Sequence, residues 1–215
     1  MRLWLRAASM AALLLLSITV SGCGDDFYFS FKEEQSLHNG SYSLLVHEGS
    51  PLFLPDKGLV LDMARIITPL HLTGDATIKI RFHADCSEFE LGCLRVHIWT
   101  GTPEVAHIVE LYLGSPADQL YKLVELYAAY EIRAADGPDI PGYHGPGDYT
   151  LRVEKRGNQY SAYLGFSLLG RYEAEDYIAD WFYLSLAGEL FGLTTPDSLY
   201  VKDIKVSYDE GIVMH

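Results

Sequence analysis

The residues with the most chemical potential recur in a short repeated pattern. Val-Glu-Leu-Tyr stands at Val109–Tyr112 and again at Val124–Tyr127, so an acid and a tyrosine are each repeated two residues apart. Just upstream, Leu94-Arg95-Val96-His97-Ile98-Trp99 alternates apolar with polar or aromatic residues. Side chains on a strand alternate between faces. With Leu94, Val96 and Ile98 inward, Arg95, His97 and Trp99 point outward. With Val109, Leu111 and Leu113 inward, Glu110 and Tyr112 join them, and the same logic applied to the second tetrad adds Glu125 and Tyr127. Flat aromatic faces beside charged hydrogen-bonding groups suit the C–H surfaces and hydroxyls of a saccharide. The plain alternative is cross-strand packing and ordinary surface ion pairs.

A cleaving site would use two of those acids, Glu110 and Glu125, as paired carboxylates about 5 Å apart for retention or about 6.5–9.5 Å for inversion. The acidic runs Glu88-Phe89-Glu90 and Glu173-Ala174-Glu175-Asp176 read as a turn and a solvated loop. A second candidate binding element is the Pro/Gly-framed loop 137–147, which displays Tyr143 and His144. The eight histidines show no metal-ligand spacing, and no EF-hand loop is present.

The elements that must position these residues are short and alternating. Candidate strands are Phe27–Phe31, Tyr42–His47, Gly58–Leu61, Ala76–His83, Leu94–Thr100, Ala106–Leu113, Tyr149–Lys155, Gln159–Gly165, Trp181–Ala187 and Leu199–Tyr208, separated by Gly, Pro, Asp and Asn. That pattern predicts an all-β, two-sheet antiparallel sandwich or barrel. Gly157, in Arg156-Gly157-Asn158, supplies the positive φ of a tight hairpin. Residues 115–130 carry two patterns. Ser115-Pro116-Ala117-Asp118 resembles a helix start, with Leu120, Leu123, Val124 and Tyr127 at helical spacing, whereas Val124, Leu126, Ala128, Tyr130 and Ile132 alternate as a strand does. The surroundings favour the strand; as a helix the segment would remove Glu125 and Tyr127 from the patch.

The N-terminus reads as a delivery signal. Arg2 and Arg6 precede an apolar run from Ala7 to Val20, too short for the ~20 residues that span a bilayer. Val20-Ser21-Gly22-Cys23 resembles the bacterial lipobox, which implies cleavage after residue 22 and a lipid on Cys23. Residues 23–26 are then a tether reaching roughly 10 Å, and 27–215 form one domain lipid-anchored in a bacterial cell envelope, facing periplasm or exterior. Loss of residues 1–22 removes two cations and no acid, taking the formal charge from −13 to −15. A basic footprint for nucleic acid is absent. In an oxidising compartment Cys86 and Cys93, seven apart within a turn region, are expected to pair.

The C-terminal half carries a further likeness. Residues 148–158 followed by Tyr160-Ser161-Ala162-Tyr163-Leu164-Gly165 resemble the central hairpin of concanavalin A-like, laminin G-like jelly rolls. Tyr183–Gly188 and Leu199–Val206 resemble that fold's last two strands. The resemblance spans roughly residues 27–210 and implies a jelly roll whose relatives include sugar-binding modules, glycosidases and adhesion domains. Many relatives hold a structural Ca²⁺, which would put forward Asp203 with Asp26, Glu33 or Glu34. The Glu-x-Asp-x-x-Glu strand of sugar-cleaving relatives does not occur here. The expected function is therefore a membrane-anchored, non-catalytic carbohydrate-binding lipoprotein. Its rivals are a glycoside-processing enzyme and a structural or protein-binding envelope component engaging another envelope protein.

Overall fold

Apolar residues at every second position force the chain to form sheets with one oily face each, and two such faces close on one another. In Leu70–Ala84, the side chains of Ile78, Ile80, Phe82 and Ala84 are fully buried while Lys79 and Arg81 are exposed. The computed structural model describes residues 26–31, 37–39, 42–68, 70–86, 90–100, 105–115, 117–127, 130–174, 181–192 and 194–213. The signal segment, Cys23, Glu33 and Glu34 lie outside the described residues.

In chain order the strands are β1 (Asp26–Ser30), β2 (His38–Asn39), β3 (Tyr42–Ser43), β4 (Leu45–Glu48), β5 (Leu52–Leu54), β6 (Gly58–Val60), β7 (Ala64–Ile67), β8 (Leu70–Ala84), β9 (Glu90–Thr100), β10 (Val105–Leu113), β11 (Leu120–Tyr127), β12 (Tyr130–Gly137), β13 (Gly147–Arg156), β14 (Gln159–Leu164), β15 (Ser167–Glu173), β16 (Trp181–Gly192) and β17 (Leu199–Val213). The pairing runs β12-β11-β10-β9-β16 in one layer and β15-β14-β13-β8-β17 in the other, with β1 and β6 on β17 and β5 on β6. Beside β16, the Thr68 amide donates to the Leu184 carbonyl at 2.9 Å, which seats β7 against that layer, and β4 pairs with β7. The ladders are antiparallel, and the architecture is the expected jelly-roll sandwich. No described helix is long and apolar enough to cross a membrane.

Segment 120–127 is a strand, hydrogen-bonded to β10 on one side and β12 on the other. Ser115 and Asp118 close a turn instead of opening a helix: the Ser115 Oγ donates to Asp118 Oδ2 at 2.6 Å and the Asp118 amide to the Ser115 carbonyl at 2.9 Å. Two ladders offer that segment far more than one amphipathic face of a lone helix would. The β13–β14 hairpin forms in the expected register, Arg156 opposite Gln159, with Gly157 at φ 53°.

The cysteine pair is a correction. Cys86 and Cys93 are both free and both buried. Cys86 belongs to the core between the layers, with its Sγ near the inward side of Gly92. Cys93 is the next residue along and so faces the opposite side of β9, beside Arg95 and Glu110, where burial pushes its thiol up to about 12. A sheet stands between the two sulfurs, and no bridge can cross it without moving the backbone. Alkylation of the denatured, unreduced protein followed by mass spectrometry is expected to label both Cys86 and Cys93, and reductant should leave the melting temperature unchanged. Recovery of a Cys86–Cys93 linked peptide would contradict this arrangement.

Candidate functional site

The inward set of β9 (Leu94, Val96, Ile98), of β10 (Val109, Leu111, Leu113) and of β16 (Phe182, Leu184, Leu186) belongs to the core. The intervening residues therefore line the outer face of that layer. Cross-strand pairing then sets Arg95 between Glu110 on β10 and Ala187 on β16, and Trp99 between Ala106 and Tyr183.

At one end of this face Arg95 is held by three neighbours. Its Nε donates to Glu110 Oε1 at 3.1 Å, Nη1 to Glu189 Oε2 at 3.2 Å, and Nη2 to the Tyr112 hydroxyl at 3.4 Å. The Tyr112 hydroxyl in turn donates to Glu110 Oε2 at 3.2 Å. Lys122 lies 3.8 Å from the same oxygen and 5.3 Å from the centre of the Tyr112 ring. Burial pushes the Tyr112 hydroxyl above its ordinary value, although the bond from Arg95 pulls the other way. Two cations and two anions thus form a closed, charge-balanced net with a tyrosine ring among them.

At the other end Trp99 Nε1 donates to Ser185 Oγ at 2.9 Å, and that hydroxyl also shares a hydrogen bond of 3.2 Å with His97 Nδ1. The indole lies nearly parallel to Tyr183, ring centres 6.1 Å apart and planes 11° from parallel. His97 is only 4% exposed, and burial, with the positive charges of Arg65 and Arg95, lowers its pKa to about 3. It is a neutral spacer that fixes the Trp99 ring edge-on, 5.7 Å away.

Arg95, His97, Trp99, Glu110 and Tyr112 therefore come together as expected. Glu125 does not. The pairing sets Leu123 opposite Val109 and Glu125 opposite His107, so both follow the inward side of the layer. Glu125 is 5% exposed, on the far side of the sheet from Glu110. The carboxylate pair that cleavage would have used is thereby separated by the sheet itself. The Tyr127 side chain lies outside the described residues.

Inside, His107 stacks on Tyr160 with ring centres 3.9 Å apart, and its Nδ1 is 2.8 Å from the Tyr172 hydroxyl. Burial, with the charge of Lys155, lowers His107 to about 3, while burial raises the hydroxyls of Tyr160 and Tyr172, helped by Glu125 at Tyr160 and by Tyr160 and then Glu125 at Tyr172.

The loop expectation divides. Tyr143 is buried in the core, 5.0 Å from the Tyr149 ring, and displays nothing outward. His144 is exposed, its amide donating to the Tyr149 hydroxyl. Asp203 is 4% exposed and accepts from Arg81 Nε at 2.6 Å. A carboxylate already matched to a guanidinium is a poor Ca²⁺ ligand, and no metal-sized cluster of His, Cys, Asp or Glu occurs among the described residues.

Tyr183, Ser185, Glu189 and Arg65 were missed. Tyr183 and Ser185 sit at alternate positions of the marked strand Trp181–Ala187, and Glu189 lies two residues past its marked end, where the observed strand runs on to Gly192. Arg65 lies between two inward apolar residues, Ala64 and Ile66, on a strand too short to stand out.

The sequence matches no described protein family and no curated protein. Solved structures share the fold. The CBM2 module of the evolved Dit of Lactobacillus casei BL23 phage J-1 superposes with TM-score 0.60 at 8% identity, over 88% of this chain and 99% of that one. The Crh5 transglycosylase in complex with NAG gives 0.56 at 10% identity, over 88% and 87%. The Emp47p carbohydrate recognition domain gives 0.55 at 9% identity, over 81% and 94%. The chain is a jelly-roll β-sandwich of that architecture.

Acid should loosen this fold through the buried histidines His97 and His107. Each is neutral when folded and takes up a proton near its ordinary 6.5 when unfolded. The unfolded state thus binds more protons between about pH 6.5 and 3, so stability is full above that window and falls as pH drops through it. The slope is at most about 1.4 kcal/mol per pH unit for each histidine. Denaturant midpoints measured from pH 7 to 4 are expected to fall, and more gently in His97→Gln/His107→Gln. An equally steep fall in the double variant would assign the acid sensitivity elsewhere.

Proposed function

We propose that the protein is a bacterial envelope lipoprotein, held through lipid on Cys23 and facing periplasm or exterior, whose jelly-roll domain binds carbohydrate without cleaving it. The observation that carries the binding site is the outer face of β9, β10 and β16, which holds Trp99 and Tyr183 at one end and the Arg95–Glu110–Glu189–Tyr112 net at the other. Partly exposed rings offer apolar faces to sugar C–H groups, and the fixed charges offer hydrogen bonds to hydroxyls. Relatives in fold alone include a carbohydrate recognition domain and a transglycosylase, which is consistent with a sugar ligand.

The non-catalytic part of the reading rests on Glu110 and Glu189. Both are committed to one guanidinium, whereas a glycosidase needs one carboxyl free to give a proton to the leaving oxygen and another free to attack or to activate water. The membrane part rests on the lipobox-like Val20-Ser21-Gly22-Cys23 and its short tether.

A glycan array probed with the purified protein tests the site. Binding to a saccharide is expected, with a loss of about tenfold or more in Trp99→Ala, the order of one aromatic stacking contact. Absence of binding to any glycan would remove the function, and equal binding by Trp99→Ala would remove the site. Metabolic labelling with a radioactive fatty acid tests the anchor: label should appear on the wild-type chain and vanish in Cys23→Ala.

A further inference from the structure

On the outer face described above, Arg65 has no counter-charge among the described residues. Ala64 and Ile66 point into the core, so Arg65 projects to the same side as Ser185, His97 and Trp99. β7 is seated on β16 at Thr68 and Leu184, and Asp62 bridges Gly188, so Arg65 lies at the margin of the aromatic end of the site. Its Nε is buried and bonded to nothing, and among the described residues no carboxylate reaches the guanidinium. Its cross-strand partner Glu48 is exposed on β4 and forms no ion pair with it. Arg95, on the same face, is fully engaged by two carboxylates.

A half-desolvated guanidinium without an anion is costly, because burial weakens its hydration and returns nothing. A planar carboxylate fits the guanidinium fork with two parallel hydrogen bonds. We infer that Arg65 is the acid-recognising group of this face, so that the ligand is a saccharide bearing a carboxylate, its ring packed by Trp99 and Tyr183 while the acid group meets Arg65. The inference rests on the carbohydrate reading above and names its ligand class. The formal net charge, −13 for the full sequence, repels densely anionic polymers. At physiological ionic strength that repulsion fades beyond about 8 Å, so a single carboxylate in contact with Arg65 is governed by the local pair. The match is therefore to an isolated acid group among neutral sugars.

The test compares a uronic-acid oligosaccharide with the same oligosaccharide after reduction of its carboxyl groups to alcohols, by titration calorimetry on the purified protein. Wild type is expected to bind the acidic form at least tenfold more tightly. In Arg65→Gln that ratio should collapse towards one, and Arg65→Lys, which keeps the charge but loses the fork, should retain part of it. A wild-type ratio near one, or a ratio that survives in Arg65→Gln, overturns the inference while carbohydrate binding itself stands. No affinity for either form, with none for any glycan on the array, overturns the carbohydrate function and the inference together. A neutral oligosaccharide carrying a sulfate ester serves as the third arm: binding as tight and as dependent on Arg65 would replace carboxylate recognition by general anion binding.

Discussion

Everything in this sandwich depends on the hydrogen bonding of β8, which is shared between the layers. Along one edge it pairs with β13 from Ala76 to Ala84, and along the other with β17 over nearly its whole length. At its beginning Leu72 and Thr73 pair instead with Phe182 and Trp181 of β16, in the other layer. The strand is thus the seam at which one layer passes into the next. A slip of one residue would carry Lys79 and Arg81 inside and Ile80 and Phe82 out, an exchange no local adjustment could absorb. Because β16 and β9 are registered from that seam, the outward display of Arg95, His97 and Trp99 is a remote consequence of it.

The same constraint explains the polar residues inside. His107 and Glu125 belong to β10 and β11, near the β12 edge of their layer, while Tyr160 and Tyr172 come from the outermost pair of the opposite layer. The interior is therefore least apolar towards these strands, away from the packed run of Phe82, Ile80 and Val96. Lys155 belongs to the same side: its Nζ donates to the Gly74 carbonyl at 2.9 Å and sits 5.5 Å from the Phe182 ring centre. Polar groups tolerate burial where other polar groups meet them, as His107 Nδ1 meets the Tyr172 hydroxyl and Lys155 Nζ the Gly74 carbonyl, whereas His107 Nε2 and the Tyr160 hydroxyl are buried with no hydrogen-bond partner among the described residues.

Much of this was legible in the sequence because strand alternation is a physical requirement and not a statistical habit. The ten marked strands all fall on observed ones, and Gly157 sits where a positive φ was needed. The strands that escaped are short or dilute in apolar residues: His38–Asn39, Leu52–Leu54, Ala64–Ile67, Tyr130–Gly137 and Ser167–Glu173. The misplacement of Glu125 has a sharper cause. The two Val-Glu-Leu-Tyr tetrads look equivalent, yet in the first the valine and leucine are inward, while in the second inward burial belongs to Leu123, one residue before the valine. Antiparallel pairing decides which parity holds, and pairing is a property of two strands that a single stretch of sequence does not carry. The cysteines were misjudged for the same reason, since spacing along the chain says nothing about which face each thiol occupies.

The outer face is organised in a way that bare solubility would not require. Exposed ion pairs contribute little to stability, and long side chains lose entropy when they are fixed. Here Arg95 is fixed by two carboxylates and a phenol, the Trp99 ring by a serine and a histidine, and that histidine is kept uncharged by its burial. A surface that needed only to stay wet would leave these groups loose. Fixing them beforehand would lower the ordering cost that a ligand of the proposed site meets on arrival, and the unpaired guanidinium of Arg65 stands apart from the matched Arg95, Lys122, Glu110 and Glu189. On the proposed reading of this face as a sugar site, selectivity would come less from the balanced net, which treats many hydroxyl patterns alike, than from Arg65.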